Sequence, residues 1–196
     1  MLKICIIGTG YVGLVTGCGL AEIGHKVICC DIDEKKIKGL NDGIIPIFEP
    51  GLADIFNKNV DQKRIRFSSK INNSIVNSDI IFIAVGTPEK KNGDADISAV
   101  RAVAKVIRDN LNKYKLICMK STVPLETYSI IDTIISKKNS TNKYDLVSNP
   151  EFLREGSSVY DFFSPDRIII GTESDKAFKI LKKVYKPLYR RELPVV

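Results

Sequence analysis

Gly8, Gly10 and Gly13 stand in the pattern G-x-G-x-x-G, directly after the apolar run Lys3–Ile7. Glycines at that spacing suit a turn from a strand into a helix. The first permits the tight turn, the second lets a pyrophosphate approach the backbone, and the third lets helix and strand pack closely. Thr9, Tyr11 and Val12 complete the turn. A helix starting here presents free N–H groups and the positive end of its dipole, which together bind phosphate. Asp31 closes the next apolar run, Lys26–Cys30. A carboxylate there accepts hydrogen bonds from ribose hydroxyls and repels a 2′-phosphate, so NAD is favoured over NADP. Lys36 follows about one helical turn later and reaches either that ribose and its phosphate or only solvent. A glycine turn without a ligand is the alternative for the whole motif, and the strand–turn–helix context speaks against it.

Ligands of parallel α/β sheets bind outside the carboxyl ends of the strands. The residues that follow each apolar run are therefore candidates. After residues 79–85 come Gly86, Thr87 and Pro88; after Leu116–Lys120 come Ser121, Thr122, Val123 and Pro124. After Asp145–Ser148 comes NPEFLREG, running from Asn149 to Gly156. Thr87 and Thr122 lie beside or near prolines, which fix the local backbone and hold a hydroxyl in place. Plain turn chemistry would select the same residues. Glu151 and Glu155 share a face if Glu151 opens a helical turn. A carboxylate near a nicotinamide and screened from water acts as a base or positions a water. On spacing alone, helix-start acidity with Arg154 as ion-pair partner is the better account.

These residues need elements to hold them. Short β-branched runs read as buried parallel strands at Lys3–Ile7, Lys26–Cys30, 79–85, Leu116–Lys120, Asp145–Ser148 and 167–170, with a weaker one at 64–68. Helical patterns lie between them at 11–23, 34–41, 52–57, 98–111, 126–136 and 175–185. The alternation predicts an α/β fold, Rossmann-like and doubly wound, with a mostly parallel sheet and helices on both faces. Residues 136–143, SKKNSTNK, read as a surface loop, and 193–196 as a strand just starting.

The composition sets the bounds. The chain has 196 residues, a net charge of +7 and 44% apolar residues, enough for one domain with a real core, or for a domain and part of another. No apolar run approaches the roughly 20 residues that cross a bilayer, and the first residues are too interrupted by glycine for a signal peptide. Five cysteines, Cys5, Cys18, Cys29, Cys30 and Cys118, are too few and too odd for a disulfide scaffold. They read as small buried hydrophobes in a reducing, cytoplasmic setting. With one histidine and no C-x-x-C pair, a metal site is not expected. That histidine, His25, reads as a surface turn residue.

GTGYVG, IFEPGL (Ile47–Leu52), AVGTP, GDADIS (Gly93–Ser98), KSTVP, SNPEFLREG and SPDRIIIG occur in this order. Together they resemble the N-terminal, NAD-binding domain of the UDP-glucose/GDP-mannose dehydrogenase family over essentially the whole chain, 1–196. Asp161-Phe162 and Ser164-Pro165-Asp166-Arg167 resemble the UDP-glucose branch more than the GDP-mannose branch. The resemblance implies oxidation of a sugar C6 alcohol to a carboxylate in two NAD-dependent steps through a cysteine-bound intermediate. It implies that Gly8 to Gly13, Asp31, Lys36, the Gly86-Thr87-Pro88 turn, Ser121, Thr122, Val123 and Glu155 serve the cofactor. Thr122 then also helps to hold a catalytic water, and Glu151 becomes the acid/base, against its spacing-only account. Phe152, Leu153 and Arg154, with Glu151, lie along the UDP-glucose. The family's nucleophilic cysteine, catalytic lysine and catalytic asparagine come from later segments, as does most of the UDP-binding and dimer-forming surface. The expectation is a chain that binds NAD without completing the oxidation, monomeric alone and homodimeric in the full-length enzyme.

Two other functions compete: another NAD-dependent dehydrogenase of the 3-hydroxyacid type, against which NPEFLREG speaks, and a non-catalytic NAD-binding module. The basic run Lys176, Lys179, Lys182, Lys183, Lys186, Arg190 and Arg191 lies on one face of an amphipathic helix. It reads as a solvated face rather than a nucleic-acid patch, since interleaved aromatics are lacking.

Overall fold

A computed structural model of the chain describes residues 1–137 and 144–188. Six strands form one sheet: β1 (Lys3–Ile7), β2 (Lys26–Cys30), β3 (Ile65–Ser68), β4 (Ile80–Ile83), β5 (Lys115–Met119) and β6 (Tyr144–Ser148). The eight α-helices among the described residues are α1 (Tyr11–Glu22), α2 (Glu34–Asn41), α3 (Leu52–Asp61), α4 (Ile71–Val76), α5 (Ser98–Asn110), α6 (Glu126–Ser136), α7 (Ser158–Phe163) and α8 (Asp175–Tyr185). A 3-10 turn, Lys186–Leu188, follows α8. Strand order is β3-β2-β1-β4-β5-β6, and every neighbouring pair is parallel.

The strands read as continuous apolar runs because both faces are covered. Ile4, Ile6, Phe82, Leu116 and Cys118 face a core built with α1, α3, α7 and α8. Their alternates Cys5, Ile7, Ile81, Ile83, Ile117 and Met119 face a second core with α5 and α6. The order of strands reverses between β1 and β4, which places the topological switch point beside the glycine turn. No helix among the described residues is long and apolar enough to cross a membrane.

Four expectations from the sequence are corrected. Residues 167–170 form no strand of the sheet; an isolated antiparallel bridge joins Ser148 to Gly171 instead. Helices α4 and α7 were not anticipated: each is six residues long, too short to show a 3.6-residue period. His25 is buried, with 7% of its surface exposed, rather than lying on the surface. Its Nε2 donates to the Val184 carbonyl at 2.9 Å, tying the α1–β2 turn to α8. Burial lowers its pKa, so the folded ring favours the neutral form. Glu151 does not open a helix; 151–154 is irregular loop. The expectations for 138–143 and 193–196, and for Arg190 and Arg191, lie outside the described residues. All five cysteines are free and buried, and burial pushes Cys18 up to about 12.

Candidate functional site

The glycine turn joins β1 to α1 at the carboxyl rim. Gly8 has φ +106°, a left-handed conformation that favours glycine, and a Cβ there would lie 2.4 Å from the Ala84 carbonyl oxygen. A Cβ on Gly13 would lie 2.0 Å from the Gly8 carbonyl oxygen. Around Gly10 there is nothing within 4 Å of such a Cβ, and this open space faces the first turn of α1. The three glycines thus divide the tasks as the motif requires. Gly10 is the one of the three where the backbone is bare. Tyr11 and Val12, half-buried, open α1, and Thr9 is fully buried.

Asp31 sits just beyond β2. Its Oδ2 accepts from the Thr9 N–H at 2.9 Å and the Thr9 hydroxyl at 2.7 Å, and its Oδ1 from the Asp33 N–H at 3.1 Å. Lys36 Nζ lies 3.5 Å from the same carboxylate. Burial pushes the carboxyl pKa up, but these donors and the Lys36 charge outweigh it and hold it below its usual value. Asp31 is therefore ionised and pinned against the turn, with a small part of its side chain still exposed.

The β4 and β5 turns are cross-linked. Thr87 Oγ1 donates to the Thr122 carbonyl at 3.0 Å, and Ser121 Oγ to the Val85 carbonyl at 2.7 Å. Thr87, Ser121 and Thr122 come together as the rim argument anticipated. Gly86, Pro88 and Thr122 are exposed, and Val123 is half-buried.

Beyond them lies a cavity of about 640 Å³ lined by Glu151, Phe152, Leu153 and Arg154 together with Lys120, Thr16 and Tyr185. Thr122, Val123 and Glu155 are not among the residues that line it. Glu151 folds back to accept from the Leu153 N–H, which is why no helix begins there. Arg154 pairs with neither glutamate. Its Nη2 lies 2.6 Å from Asp161, which also accepts from the Arg154 N–H and the Ser157 hydroxyl. The Arg154 guanidinium, although opposed by burial, helps to pull Asp161 down to about 2.

Sequence reasoning missed the groups that hold this loop. Glu49, buried in the loop before α3, accepts from the N–H groups of Gly156 at 2.8 Å and Ser158 at 3.2 Å. Those donors are at the end of NPEFLREG and the start of α7. Burial raises the Glu49 pKa, and the hydrogen bonds from Gly156 and Ser158 reverse the shift. Glu49 had a signal, its place in IFEPGL, but nothing local to give it a role. The change Glu49→Gln turns an amide N–H toward one of these donors. It is expected to lower stability by about 1–3 kcal/mol, read from urea unfolding, and an unchanged midpoint would dismiss the clamp. Asn149 is a second support: its Nδ2 donates to the Ile169 carbonyl at 2.7 Å, and Tyr185 donates to its Oδ1 at 2.7 Å.

A six-stranded parallel sheet in this order, with the glycine turn at its switch point, defines a Rossmann-type dinucleotide-binding domain. The sequence matches the profile of the UDP-glucose/GDP-mannose dehydrogenase family, NAD binding domain, over residues 2–189, and the chain belongs to that family. It is 52% identical to the UDP-glucose 6-dehydrogenase TuaD of Bacillus subtilis, across 96% of this chain and 41% of that protein. A UDP-glucose 6-dehydrogenase of Rhizobium meliloti is 45% identical, across 100% of this chain and 45% of that protein. A UDP-glucose dehydrogenase structure from Pyrobaculum islandicum superposes with a TM-score of 0.92 at 35% identity, covering 100% of this chain and 46% of that one. The chain therefore spans less than half the length of these relatives.

Proposed function

We propose that the chain is the NAD-binding half of a UDP-glucose 6-dehydrogenase, one domain over 1–196. The observation that carries this reading is that one helix serves two sites. The first turn of α1 faces the bare backbone at Gly10, and Thr16, further along α1, lines the cavity of the Glu151 loop. A dinucleotide on the turn and a sugar in the cavity are thereby held by one rigid element.

Gly8 to Gly13, with Thr9, Tyr11 and Val12 in the turn, bind the pyrophosphate. Asp31 and Lys36 hold the adenosine ribose. The cross-linked turns carrying Gly86, Thr87, Pro88, Ser121, Thr122 and Val123 line the nicotinamide half, and Glu155 contacts the cofactor from the loop beyond. NAD, when bound, supplies the hydride acceptor for oxidation at the sugar C6. Glu151 moves the proton, and the Thr122 hydroxyl holds the water that hydrolysis needs. Phe152, Leu153 and Arg154 bound the sugar nucleotide. All five thiols of this chain are buried, so none serves as the nucleophile.

Calorimetry with NAD, NADP and UDP-glucose tests the reading. NAD is expected to bind more tightly than NADP, UDP-glucose weakly, and UDP-glucose with NAD should accumulate no NADH on this chain alone. Tighter binding of NADP would overturn the role of Asp31. Two NADH per UDP-glucose would overturn the division of labour between this chain and the rest of the enzyme. Gel filtration of the isolated chain is expected to give a monomer, the homodimer belonging to the full-length enzyme.

A further inference from the structure

The floor of the Glu151 cavity holds two polar groups that the proposed reaction does not use. Lys120, directly after β5, is only 7% exposed, yet its ammonium has no hydrogen-bond acceptor or ion-pair partner among the described residues. The Tyr185 ring lies 5.8 Å away. Thr16, on α1, is 1% exposed, and its Oγ1 has no hydrogen-bond partner among the described residues. The neighbouring Asn149 side chain is engaged with Tyr185 and the Ile169 carbonyl. Unlike Thr16 Oγ1, the Lys120 ammonium nitrogen is not fully enclosed, so it is open to a ligand in the cavity that can complete its hydrogen bonding. Burial lowers the Lys120 pKa to about 8, partly offset by the Glu151 carboxylate across the same cavity.

The chemistry of the missing partner follows from that pair of charges. A diphosphate beside Lys120 would also face Glu151. A hydroxyl suits both: its oxygen accepts from the ammonium while its proton goes to the carboxylate. We propose that Lys120 and Thr16 form the floor of a hydroxyl-binding subsite, in which a hexose hydroxyl bridges the Lys120 ammonium and the Glu151 carboxylate. The subsite rests on the reading that the cavity takes the sugar of a sugar nucleotide. It gives that site a second contact, with the sugar itself, supplied by the strand end that leads into Ser121 and Thr122.

The test compares wild type, Lys120→Met and Thr16→Val by NMR titration with UDP-glucose, UDP and NAD at millimolar concentration, alongside thermal unfolding. Lys120→Met keeps the volume and removes the charge. It is expected to weaken UDP-glucose about tenfold or more, to leave UDP and NAD unchanged, and to raise the melting temperature because an uncompensated buried charge is gone. Thr16→Val should weaken UDP-glucose in the same direction by a smaller factor. Equal UDP-glucose affinity in wild type and Lys120→Met overturns the subsite. So does equal weakening of UDP and UDP-glucose, which would make Lys120 a diphosphate cation. A lower melting temperature overturns it as well, since Lys120 would then be structural. A wild-type chain that binds NAD but no UDP-glucose overturns the sugar-nucleotide reading itself, and the subsite with it.

Discussion

Alanine at Gly13 is expected to destabilise the domain by about 3 kcal/mol or more, whereas alanine at Gly10 should leave stability within about 1 kcal/mol and weaken NAD binding. The difference lies in what each Cβ meets. At Gly13 it would sit 2.0 Å from the Gly8 carbonyl oxygen, a backbone atom that cannot rotate away. Relief requires α1 to move off β1, and α1 also seats α7: a Cβ on Gly19 would lie 2.3 Å from the Phe162 ring. The damage from Gly13→Ala therefore spreads from the glycine turn into the wall of the Glu151 cavity, which Phe162 helps to line. Gly10 has φ −71°, which alanine adopts, and a Cβ there meets no protein atom within 4 Å. That methyl group instead fills the space where the pyrophosphate must approach the backbone, so NAD affinity should fall about tenfold or more. Urea unfolding and calorimetry with NAD separate the two effects. A Gly10→Ala chain that binds NAD as wild type does would remove the pyrophosphate from this turn.

The parts of this molecule legible from sequence are those where local pattern and tertiary environment agree. Strands β1 and β2 and helices α2, α6 and α8 fall at the anticipated bounds, because buried parallel strands are continuously apolar and α8 repeats Ala177, Leu181 and Val184 on one face. The glycine turn was legible from its spacing after an apolar run, although only Gly13 answers a steric demand within a few residues, at the Gly8 carbonyl, while Gly8 meets the distant Ala84 and Gly10 meets nothing. What escaped is held by contacts distant in sequence. His25 looked like a turn residue until Val184 supplied its partner. Arg154 looked like a partner for Glu151 or Glu155, yet Asp161 lies nearer in space. The run 167–170 has strand composition, but its hydrogen bonds go elsewhere: the Ile169 carbonyl accepts from Asn149. Lys120 is the extreme case. It lies at the end of a buried strand, where sequence shows only the last residue before a turn.

Replacing Asp31 by asparagine is expected to narrow or abolish the preference for NAD over NADP, with NAD weakened about tenfold and NADP strengthened. The carboxylate does two jobs at once. Both of its oxygens accept N–H groups, from Thr9 and Asp33, and Oδ2 also takes the Thr9 hydroxyl. An asparagine offers one oxygen, so its amide must oppose one of these donors, at a cost of about 1–3 kcal/mol to the turn. It also removes the charge that repels a 2′-phosphate. Lys36, 3.5 Å from Asp31, then becomes a cation free to receive that phosphate. The acid limb of stability should report the same group. The folded pKa of Asp31 lies below its ordinary 3.8, because the Thr9 and Asp33 donors and the Lys36 charge outweigh burial. Its contribution is therefore complete above the ordinary value and is lost as pH falls through the folded one. Wild type should lose stability more steeply than Asp31→Asn as pH falls through that window. Equal NAD and NADP affinities in wild type, or identical acid limbs in the two proteins, would take Asp31 out of the site.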